Sequence, residues 1–443
     1  GMNTVIFWFR NDLRLHDQPA LAAALASGAT HLLPVVCLPR ADEATPWGFA
    51  RVGTHRRAFA AAALRDLGTR MAGQGNPLMV CHAPPATVLP ALAHAVGASA
   101  VVCEDIAAPF EQAEVAALRA AGLPVRAVWH SSLLQPEDMP WPAAELPGVF
   151  TTFRQKVERA GIMPTAPLPP PTSLLPPPMV PPDVMLAAGA VPACAGQGAD
   201  TAVPNSAAGC DPRSSFPYGT SACNGGETAA LAHLAQYLAR KLPHSYKATR
   251  NGLTGLHYSS KFSPWLASGA LSARQVFAGL KAFEREHGAN DGTYWLWFEL
   301  LWRDYFRLLH LQYGPALYGA RGLSQLPQAP HNHQGFERWC QGRTGEPLVD
   351  AAMRELATTG YLSNRLRQVV ASYLIHDLCG DWRAGAAWFE SQLVDYDVYS
   401  NQGNWLYIAG RGTDPRGGRR FNATKQAHDH DADGTYRRMW GTA

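Results

Sequence analysis

Residues suited to bind a redox cofactor are concentrated in one short stretch of the C-terminal half. Asp395 and Asp397 are two residues apart, and Asn401 and Trp405 follow at four-residue steps. Carboxylates accept hydrogen bonds from hydroxyl and ring N–H groups, and an amide can face a nitrogen that gains and loses a proton. This set suits a cofactor with a ribityl chain and a redox-active ring, to which Trp382 and Trp405 could pass electrons. Alternatively, Asp395 is a turn residue and both tryptophans belong to the core.

A second polar stretch combines three hydroxyl groups with a positive charge. Ser259, Ser260, Lys261 and Ser263 come directly before a predicted helix, where side-chain and backbone donors could surround a pyrophosphate. Alternatively, Ser263 caps that helix, with Pro264 at its first position, and nothing is bound. The two roles are compatible, because a capped helix leaves other amides free.

Four further residues could contact a cofactor. Tyr246 and Arg250 precede the serine-rich stretch and could contact a ring or a phosphate, or could be plain loop residues. Glu299 and Arg303 lie one turn apart in a helix predicted over 294–314, which is apolar nearly all round. Buried charges are paired or functional. The alternative is an ordinary ion pair between residues four apart on a helix surface.

Length and composition predict two domains. A chain of 443 residues, 47% hydrophobic and 16% charged, is globular but too long for one ordinary core. Residues 1–228 carry 14 Lys/Arg against 17 Asp/Glu, whereas residues 229–443 carry 24 against 18. The basic excess of the second half could attract a polyanion, although an excess this small is more often just a solvated surface.

Cysteine usage and the first residues bear on location. The eight cysteines form no CxxC pair, which favours reduced thiols and no zinc site. Arg10, Asp12 and Arg14 interrupt the first apolar run, so we expect no signal peptide and a cytoplasmic protein. No uncharged apolar run is long enough to cross a bilayer.

The N-terminal section alternates short apolar runs with Ala/Leu-rich helical segments. Apolar strands joined by helices predict a doubly wound α/β domain with a parallel sheet over residues 1–130. Such sheets bind ligands at the carboxyl ends of their strands, but the usual glycine-rich phosphate loops are missing. Glu104, Asp105, Glu111 and Glu114 could line a pocket there, although a solvated acidic face is the expected interpretation. The predicted strands are 4–10, 31–38, 77–83, 99–105 and 124–129, and the predicted helices are 19–26, 55–67, 86–96 and 109–121.

The rest of the chain divides into a linker and a helical domain. Eleven prolines lie between Pro164 and Pro192, so residues 131–228 are predicted to be an extended interdomain linker without a core. Residues 229–443 show helical periodicity and many aromatics, which predicts an all-α domain. Within it, a helix over 382–393 is expected to run into a loop that carries Asp395 and Asn401.

Several strings in these segments resemble the cryptochrome/photolyase family. They are NTVIFWFRNDLRLHDQPAL, YKATRNG, SSKFSPWLASGALSARQVF, FELLWRDYFR, NRLRQ and WFESQLVDYDVYSNQGNW. FTTFRQKVE, RNGL, ERWCQGRTGEPLVDAAM and DPRGGRRFN are similar to its DASH branch. The resemblance implies an α/β antenna domain and an all-α C-terminal domain that holds FAD. It also makes 5,10-methenyltetrahydrofolate the expected antenna pigment, although deazaflavins bind domains of this type too.

The resemblance also assigns roles to residues of this chain. Asn401 would face flavin N5, Arg367 would pair with Asp395, and Trp405 and Trp382 would be the proximal and middle members of an electron relay. The distal tryptophan is missing, because residues 323–334 read LSQLPQAPHNHQ. Either a tyrosine such as Tyr313 or Tyr318 replaces it, or photoreduction is less efficient. The implied FAD-binding residues are Tyr246, Ser259, Ser260, Lys261, Phe262, Ser263, Trp295, Glu299, Arg303, Asn364, Arg367, Asp395, Asp397 and Asn401.

The implied substrate is a pyrimidine dimer flipped out of DNA. Trp302 would stack on the flipped bases, and Glu299 and Asn364 would bind their carbonyl edges. Gln368 and Tyr407 stand where duplex-acting photolyases place a methionine and a tryptophan, so less stacking offsets the cost of flipping. We therefore expect a monomer that repairs single-stranded DNA, with Arg250, Arg411 and Arg416 on the phosphates.

The alternative function is a blue-light receptor without substantial repair activity. Many signalling cryptochromes carry a long C-terminal extension, and this sequence ends about twenty residues after Phe421. We expect the enzyme for that reason. A third possibility, a redox flavoprotein that never meets DNA, predicts no salt-dependent binding to oligonucleotides.

Overall fold

A computed structural model describes residues 1–142, 145–192, 209–414 and 416–442. Residues 193–208, which include Cys194 and part of the predicted linker, lie outside the described residues. The described chain contains a six-stranded sheet with helices and a helical C-terminal region, so the predicted fold class is confirmed. None of the described helices combines the length and apolar character that a membrane span requires.

The N-terminal sheet has the strand order β5-β4-β1-β2-β3-β6. The first five strands run parallel, and β6 adds to β3 as an antiparallel edge strand that the sequence did not predict. Thr4 of β1 pairs with His31 of β2, and this register continues to Phe9 and Val36. The strands are β1 Thr4–Phe9, β2 His31–Cys37, β3 Met79–Cys81, β4 Ala98–Glu104, β5 Val125–Val128 and β6 Ala190–Pro192.

Helices cover both faces of this sheet, because β1 is apolar on both of its sides. Phe7 and Phe9 pack toward α1 and α2, whereas Ile6 and Trp8 pack toward α3 and α4. The helices are α1 Pro19–Leu25, α2 Thr54–Ala72, α3 Pro85–Val96 and α4 Pro109–Ala120. Residues at the carboxyl ends of β1 and β2 share a cavity wall with Ser268 and Val394, so these strand ends face the C-terminal region.

The segment predicted as a coreless linker contributes to the helical core. It contains α5 (Phe150–Arg159) and α6 (Pro182–Ala187), and Phe150, Phe153 and Phe216 are buried within the helical core. The proline content correctly predicted an irregular segment at residues 164–181, which form no helix or strand. It did not predict that the aromatic residues on either side of this segment pack into the helical core.

The C-terminal region is built from helices that surround α11. Asn290 and Thr293 form a capping box at the start of α11, and the helix then runs for 23 residues. A one-turn π-helix, Tyr373–Asp377, follows α14. The helices are α7 Glu227–Ala239, α8 Tyr246–Thr249, α9 Ser263–Ser268, α10 Ala273–His287, α11 Asp291–Tyr313, α12 His333–Gln341, α13 Pro347–Thr359, α14 Asn364–Ser372, α15 Trp382–Gln392, α16 Val398–Ala409, α17 Ala423–His430 and α18 Thr435–Met439.

The predicted loop after α15 is much shorter than expected. Asp397 is the N-cap of α16, and its carboxylate accepts a hydrogen bond from the Ser400 amide at 3.0 Å. Asn401 and Trp405 therefore lie on a helix, where their four-residue spacing places them on one face. The expectation that Asn401 lies in a loop was wrong.

A close backbone approach fixes α9 against the α/β domain. Leu13 N donates to Ser268 O at 3.1 Å. Gly269 ends α9 with φ +77°, and a Cβ at this position would lie 2.1 Å from Asn11 O. The chain thus needs glycine here both for the left-handed conformation and for the space.

Candidate cofactor and substrate site

Most of the predicted site residues line one cavity of the helical region. Its volume is about 400 Å³, within the range of small-molecule sites, and it lies among α8, α9, α11, α14 and α16. The predicted residues in its wall are Tyr246, Arg250, Ser259, Ser260, Lys261, Phe262, Ser263, Glu299, Trp302, Arg303, Asn364, Arg367, Gln368, Asp395, Asp397 and Tyr407. Tyr258, Tyr361, Ser400 and Asn404 also line it and were not predicted. Asn404 could have been predicted from the sequence, because it lies one helical turn after Asn401.

A smaller cavity of about 80 Å³ adjoins the first and shares several of its wall residues. Asn401 and Trp405 face this smaller cavity together with Gln368. The Nδ2 of Asn401 donates to Ala386 O at 3.0 Å. Because a carbonyl oxygen can only accept, this bond fixes the amide orientation and leaves Oδ1 as the acceptor. Asn401 can therefore receive a hydrogen bond from a ring N–H group.

Arg367 and Asp395 form a two-bond ion pair in the cavity wall, as predicted. Arg367 Nη1 lies 3.0 Å from Asp395 Oδ1, and Nη2 lies 2.8 Å from Oδ2. Burial opposes the charge on Arg367, but Asp395 keeps the pKa of Arg367 above its ordinary value. The Ser263 hydroxyl donates to Asp395 Oδ2 at 2.8 Å. Ser263 is the first residue of α9 and makes no side-chain cap, so the capping prediction was wrong.

Asp397 is held by cations from α11. Arg307 Nη2 lies 3.1 Å from Asp397 Oδ1. Burial alone would raise the pKa of Asp397, but Arg307 and Arg303 keep it below its ordinary value. Arg303 Nη1 donates to Ser131 O at 2.7 Å, and burial beside Arg307 lowers the pKa of Arg303 to about 9.

Glu299 pairs with a residue outside its own helix. Arg250 Nη2 lies 3.1 Å from Glu299 Oε1, so the predicted alternative of a Glu299–Arg303 ion pair does not form. Burial raises the pKa of the Glu299 carboxyl, although Arg250 opposes the rise. The Glu299 side chain is 35% exposed and Asn364 is exposed, so both lie at the cavity mouth.

The serine-rich stretch brings a buried cation into the cavity wall. Ser259 and Lys261 have φ of +61° and +60°, a conformation that L-residues seldom adopt. Lys261 Nζ is buried over the Tyr258 ring and has no hydrogen-bond partner among the described residues. Burial accordingly lowers the pKa of Lys261 well below its ordinary value. An unpaired buried ammonium group is costly, and an anionic ligand would remove that cost. The wall therefore fits a cofactor that carries phosphates.

Two tryptophans, Trp405 in the wall of the small cavity and Trp382 at the start of α15, are buried. Trp405 is buried, and a Cβ at Gly385 of α15 would lie 2.2 Å from its ring. Trp382, one turn earlier on α15, is also buried and donates from Nε1 to Ala320 O at 2.9 Å. The Tyr318 hydroxyl lies 2.7 Å from His310 Nε2.

Two of the predicted contacts, Trp295 and Arg411, are placed differently, whereas Arg416 is accessible. Trp295 lies outside the described wall of the large cavity, and the Arg250 guanidinium is 5.2 Å above its ring. Arg411 is buried and donates to Pro327 O at 3.0 Å, so it is not free to contact a DNA phosphate. Arg416 is exposed and pairs with Asp414 at 2.7 Å.

The residues expected to contact the substrate differ in which of their groups are already engaged by other residues. The Trp302 ring stacks on Phe150 at 3.9 Å, so one of its faces is covered. The Tyr407 hydroxyl accepts a hydrogen bond from Arg419 Nε at 2.7 Å. Gln368 lines both cavities and is half-buried. The wall that faces the mouth is therefore polar.

A third cavity, of about 570 Å³, lies at the carboxyl ends of the sheet strands. Glu111 and Glu114 line it, and Glu104 is buried beside Arg10, so these carboxylates do not form a solvated face. Burial raises the pKa of Glu111 to about 7, and its Oε2 has no hydrogen-bond partner within the described part of the chain.

Comparisons with known proteins agree with this architecture. A family model described as DNA photolyase matches residues 5–172, and one described as the FAD binding domain of DNA photolyase matches residues 295–442. The chain is 43% identical to a cryptochrome DASH of Gloeobacter violaceus over 446 residues, covering 99% of this chain and 85% of that protein. A cryptochrome DASH of Xenopus laevis is also 43% identical, with 98% and 82% covered.

Solved structures give the same result. The crystal structure of a cryptochrome from Synechocystis sp. PCC6803 superposes with a TM-score of 0.86 at 40% identity, covering 99% of this chain and 88% of that chain. A bacterial class III photolyase from Agrobacterium tumefaciens superposes with a TM-score of 0.78 at 28% identity, with 99% and 86% covered.

Proposed function

Because this chain belongs to the cryptochrome/photolyase family, and within it to the DASH cryptochromes, we propose that it repairs cyclobutane pyrimidine dimers in single-stranded DNA under blue light. The matched FAD-binding domain supports FAD as the cofactor. Reduced FAD supplies, when bound and excited by light, the electron that splits the dimer. The protein would act as a cytoplasmic monomer.

One observation carries the proposal: an unpaired buried cation and an amide oxygen without an assigned donor lie in the walls of two adjoining cavities. Lys261 would pair with the cofactor phosphates, assisted by the hydroxyls of Ser259 and Ser260. The Arg367–Asp395 pair would hold the ring and Asn401 Oδ1 would accept from its N–H. These residues bind and orient the cofactor and exclude water from it.

The mouth of the large cavity would receive the flipped dimer. The Asn364 amide could donate to a base carbonyl, and Glu299, whose carboxyl pKa is raised by burial, would bind the same edge of the base. The bases would stack on the side of Trp302 that lines the cavity, since Phe150 covers the other. Arg250 beside Glu299 and the exposed Arg416 would contact phosphates.

The polar wall supports a preference for single strands. Flipping a base from a duplex costs a few kcal/mol, and less from a single strand. Base–aromatic stacking contributes about 1–3 kcal/mol per base, so a tryptophan replaced by the smaller Tyr407 and an apolar methionine replaced by the polar Gln368 together remove a contribution of similar size. Tyr407, whose hydroxyl is already bonded to Arg419, offers a smaller ring than tryptophan.

The cavity at the sheet edge would hold the antenna pigment, with 5,10-methenyltetrahydrofolate as the expected compound. A pterin ring presents amino and ring N–H groups that the unpartnered Glu111 oxygen could accept. The glutamate tail of a folate would meet Arg40 and Arg51 in the same wall. Extraction of the pigment and comparison of its absorption with folate and deazaflavin standards tests this assignment.

The test of repair is loss of dimers from defined oligonucleotides under blue light, with chemically reduced protein. We expect turnover on single strands and little on the matched duplex. The control is the same mixture kept in the dark. If neither substrate loses dimers while the protein holds reduced FAD, the repair proposal fails and a blue-light receptor remains as the alternative.

A further inference from the structure

A continuous chain of ring contacts leads from the buried site to the surface of the other domain. Trp405 lies 6.1 Å from Trp339, and Trp339 lies 5.9 Å from Phe336, measured between ring centroids. Phe336 lies 5.6 Å from His331, and His331 lies 5.0 Å from Trp47. Trp47 is half-buried and belongs to the turn before α2. The chain thus begins at the small cavity and ends at water.

A second path, which starts at Trp382, also leads to His331 and Trp47. The amide of Asp381, next to Trp382, donates to His331 Nδ1 at 3.1 Å. His331 is therefore common to the path from Trp382 and the path from Trp339. The Trp47 amide donates to Thr45 Oγ1 at 3.2 Å, and Thr45 N donates to Phe49 O at 2.8 Å, so a hydrogen-bonded turn holds the indole in place.

Of the two tyrosines suggested for this role, Tyr313 and Tyr318, the second is poorly placed to be oxidised. A phenol loses its proton when it loses an electron, so it needs a base or water beside it. Tyr318 is bonded to His310, and burial lowers the pKa of His310 to about 4, which makes it a weak base. Burial also raises the pKa of Tyr318. The half-exposed Trp47 indole can release its N–H proton to water instead.

We propose that Trp47, held against His331, is the surface end of the electron relay and replaces the tryptophan missing from residues 323–334. The inference rests on the proposed flavin function. One electron passes from Trp47 inward through Trp339 or Trp382 to Trp405, and from there to the light-excited oxidised flavin. The Trp47 radical cation releases its N–H proton to water. An external thiol then gives a hydrogen atom to the neutral radical, which restores the indole and leaves a thiyl radical.

The test compares Trp47→Phe with Trp141→Phe in FAD-containing protein. Trp141 is also half-buried, but it packs on Phe153 away from the ring chain. Phenylalanine keeps a ring against His331 while it is much harder to oxidise. Transient absorption after a blue pulse follows the tryptophanyl radical. The protein is also illuminated in the presence of dioxygen, which converts a tryptophanyl radical into stable oxidation products. Mass spectrometry then locates the oxidised residues.

We expect wild type and Trp141→Phe to give a long-lived radical and oxidation products on Trp47, and Trp47→Phe to lose the long-lived signal. Chemically reduced Trp47→Phe should still repair dimers like wild type, because reduction no longer depends on the relay. A long-lived radical of wild-type size in Trp47→Phe overturns the inference. Protein that takes up no flavin gives no radical in any variant, and that pattern marks failure of the proposed function instead.

Discussion

Lys261 is the residue that most restricts what the large cavity can hold. Its ammonium group is buried and has no hydrogen-bond partner among the described residues, and burial lowers the pKa of Lys261 even though Glu355 favours the charged form. Such a group is stable as a cation only when an anion lies beside it. The cofactor phosphates would supply that anion, so binding and the charge on Lys261 should be linked.

Replacing Lys261 with methionine should weaken FAD binding. A hydrogen bond to a charged group contributes about 1.5–3 kcal/mol, which corresponds to about 10- to 100-fold in affinity. Lys281→Met is the control, because Lys281 is 41% exposed and pairs with Glu284 on the surface of α10. Titration of flavin-free protein with FAD measures both affinities. Equal affinity in Lys261→Met and wild type would mean that the phosphates lie elsewhere.

Residue pairs were predictable where the resemblance supplied both partners. The Arg367–Asp395 pair was expected and forms. Spacing alone suggested an ion pair between Glu299 and Arg303. In the structure Arg250, from the segment between α8 and α9, pairs with Glu299 instead. Local spacing identifies which residues can meet on one helix, and it does not reveal a competing partner that the fold brings from elsewhere. The burial of Arg411 and its bond to Pro327 O were likewise not visible from local spacing.

At the scale of elements, one residue at the start of α16 both lines the large cavity and contributes to the stability of the folded protein. Asp397 caps α16 and pairs with Arg307, and its pKa is lowered in the folded protein. A carboxyl whose pKa falls on folding stabilises the protein above its unfolded pKa, and this contribution disappears as pH falls through the folded value. The unfolded value is about 4.

Asp397→Asn should therefore lower the free energy of unfolding of flavin-free protein near pH 7. Asparagine also caps helices well, so most of the loss reports the charge, about 2 kcal/mol or more for a partly buried pair. Urea denaturation at a series of pH values should show the wild type and the variant converging below about pH 4. A gap that stays constant down to pH 3 would indicate that Asp397 does not carry the pH dependence.

The junction of α9 with the α/β domain gives a second prediction for an element. Gly269→Ala should destabilise the protein by several kcal/mol and reduce its flavin content, because the new Cβ would overlap Asn11 O and displace α9. Gly97→Ala is the matched control, since Gly97 has φ +63° with nothing within 4 Å of its Cβ position. It should cost only the backbone strain, about 1–2 kcal/mol. Urea denaturation compares the two variants, and equal losses would exclude the overlap as the cause.

Elements were predictable where one periodicity dominated. The apolar runs around β1, β2 and β4 and the aromatic α11 were expected and are present. The helix α5 was missed because proline content further along the chain governed the interpretation of the whole linker. The strand β6 is three residues long and exists through its pairing with β3, which the sequence cannot display.

At the scale of the whole molecule, the domains meet at more than one functional point. Trp47 reaches His331 from the α/β domain, across 284 positions of sequence, and Gly269 fixes the wall of the large cavity against Asn11. Contacts of this kind arise from the folded arrangement, so no local pattern reports them. They join the α/β domain to the helical region at the Trp47–His331 contact and at the wall of the large cavity.

Binding of single-stranded DNA should weaken as salt rises. Each phosphate contact on a single strand contributes about 0.7 to the slope of log affinity against log salt concentration. Arg416→Ala should reduce the slope by about that amount. Arg40→Ala is the control, because Arg40 is equally exposed and paired with an aspartate two residues away, but lies in the α/β domain. Binding that does not depend on salt would favour a flavoprotein that never meets DNA.

The most direct measurement is titration of flavin-free protein with FAD, followed by the absorption of the bound cofactor. The arrangement of Lys261, Asp395 and Asn401 predicts one FAD per chain, with binding weakened by loss of the Lys261 charge. Protein that remains colourless at saturating FAD, or that binds FAD equally well without the charge at Lys261, would contradict the assignment of these cavities.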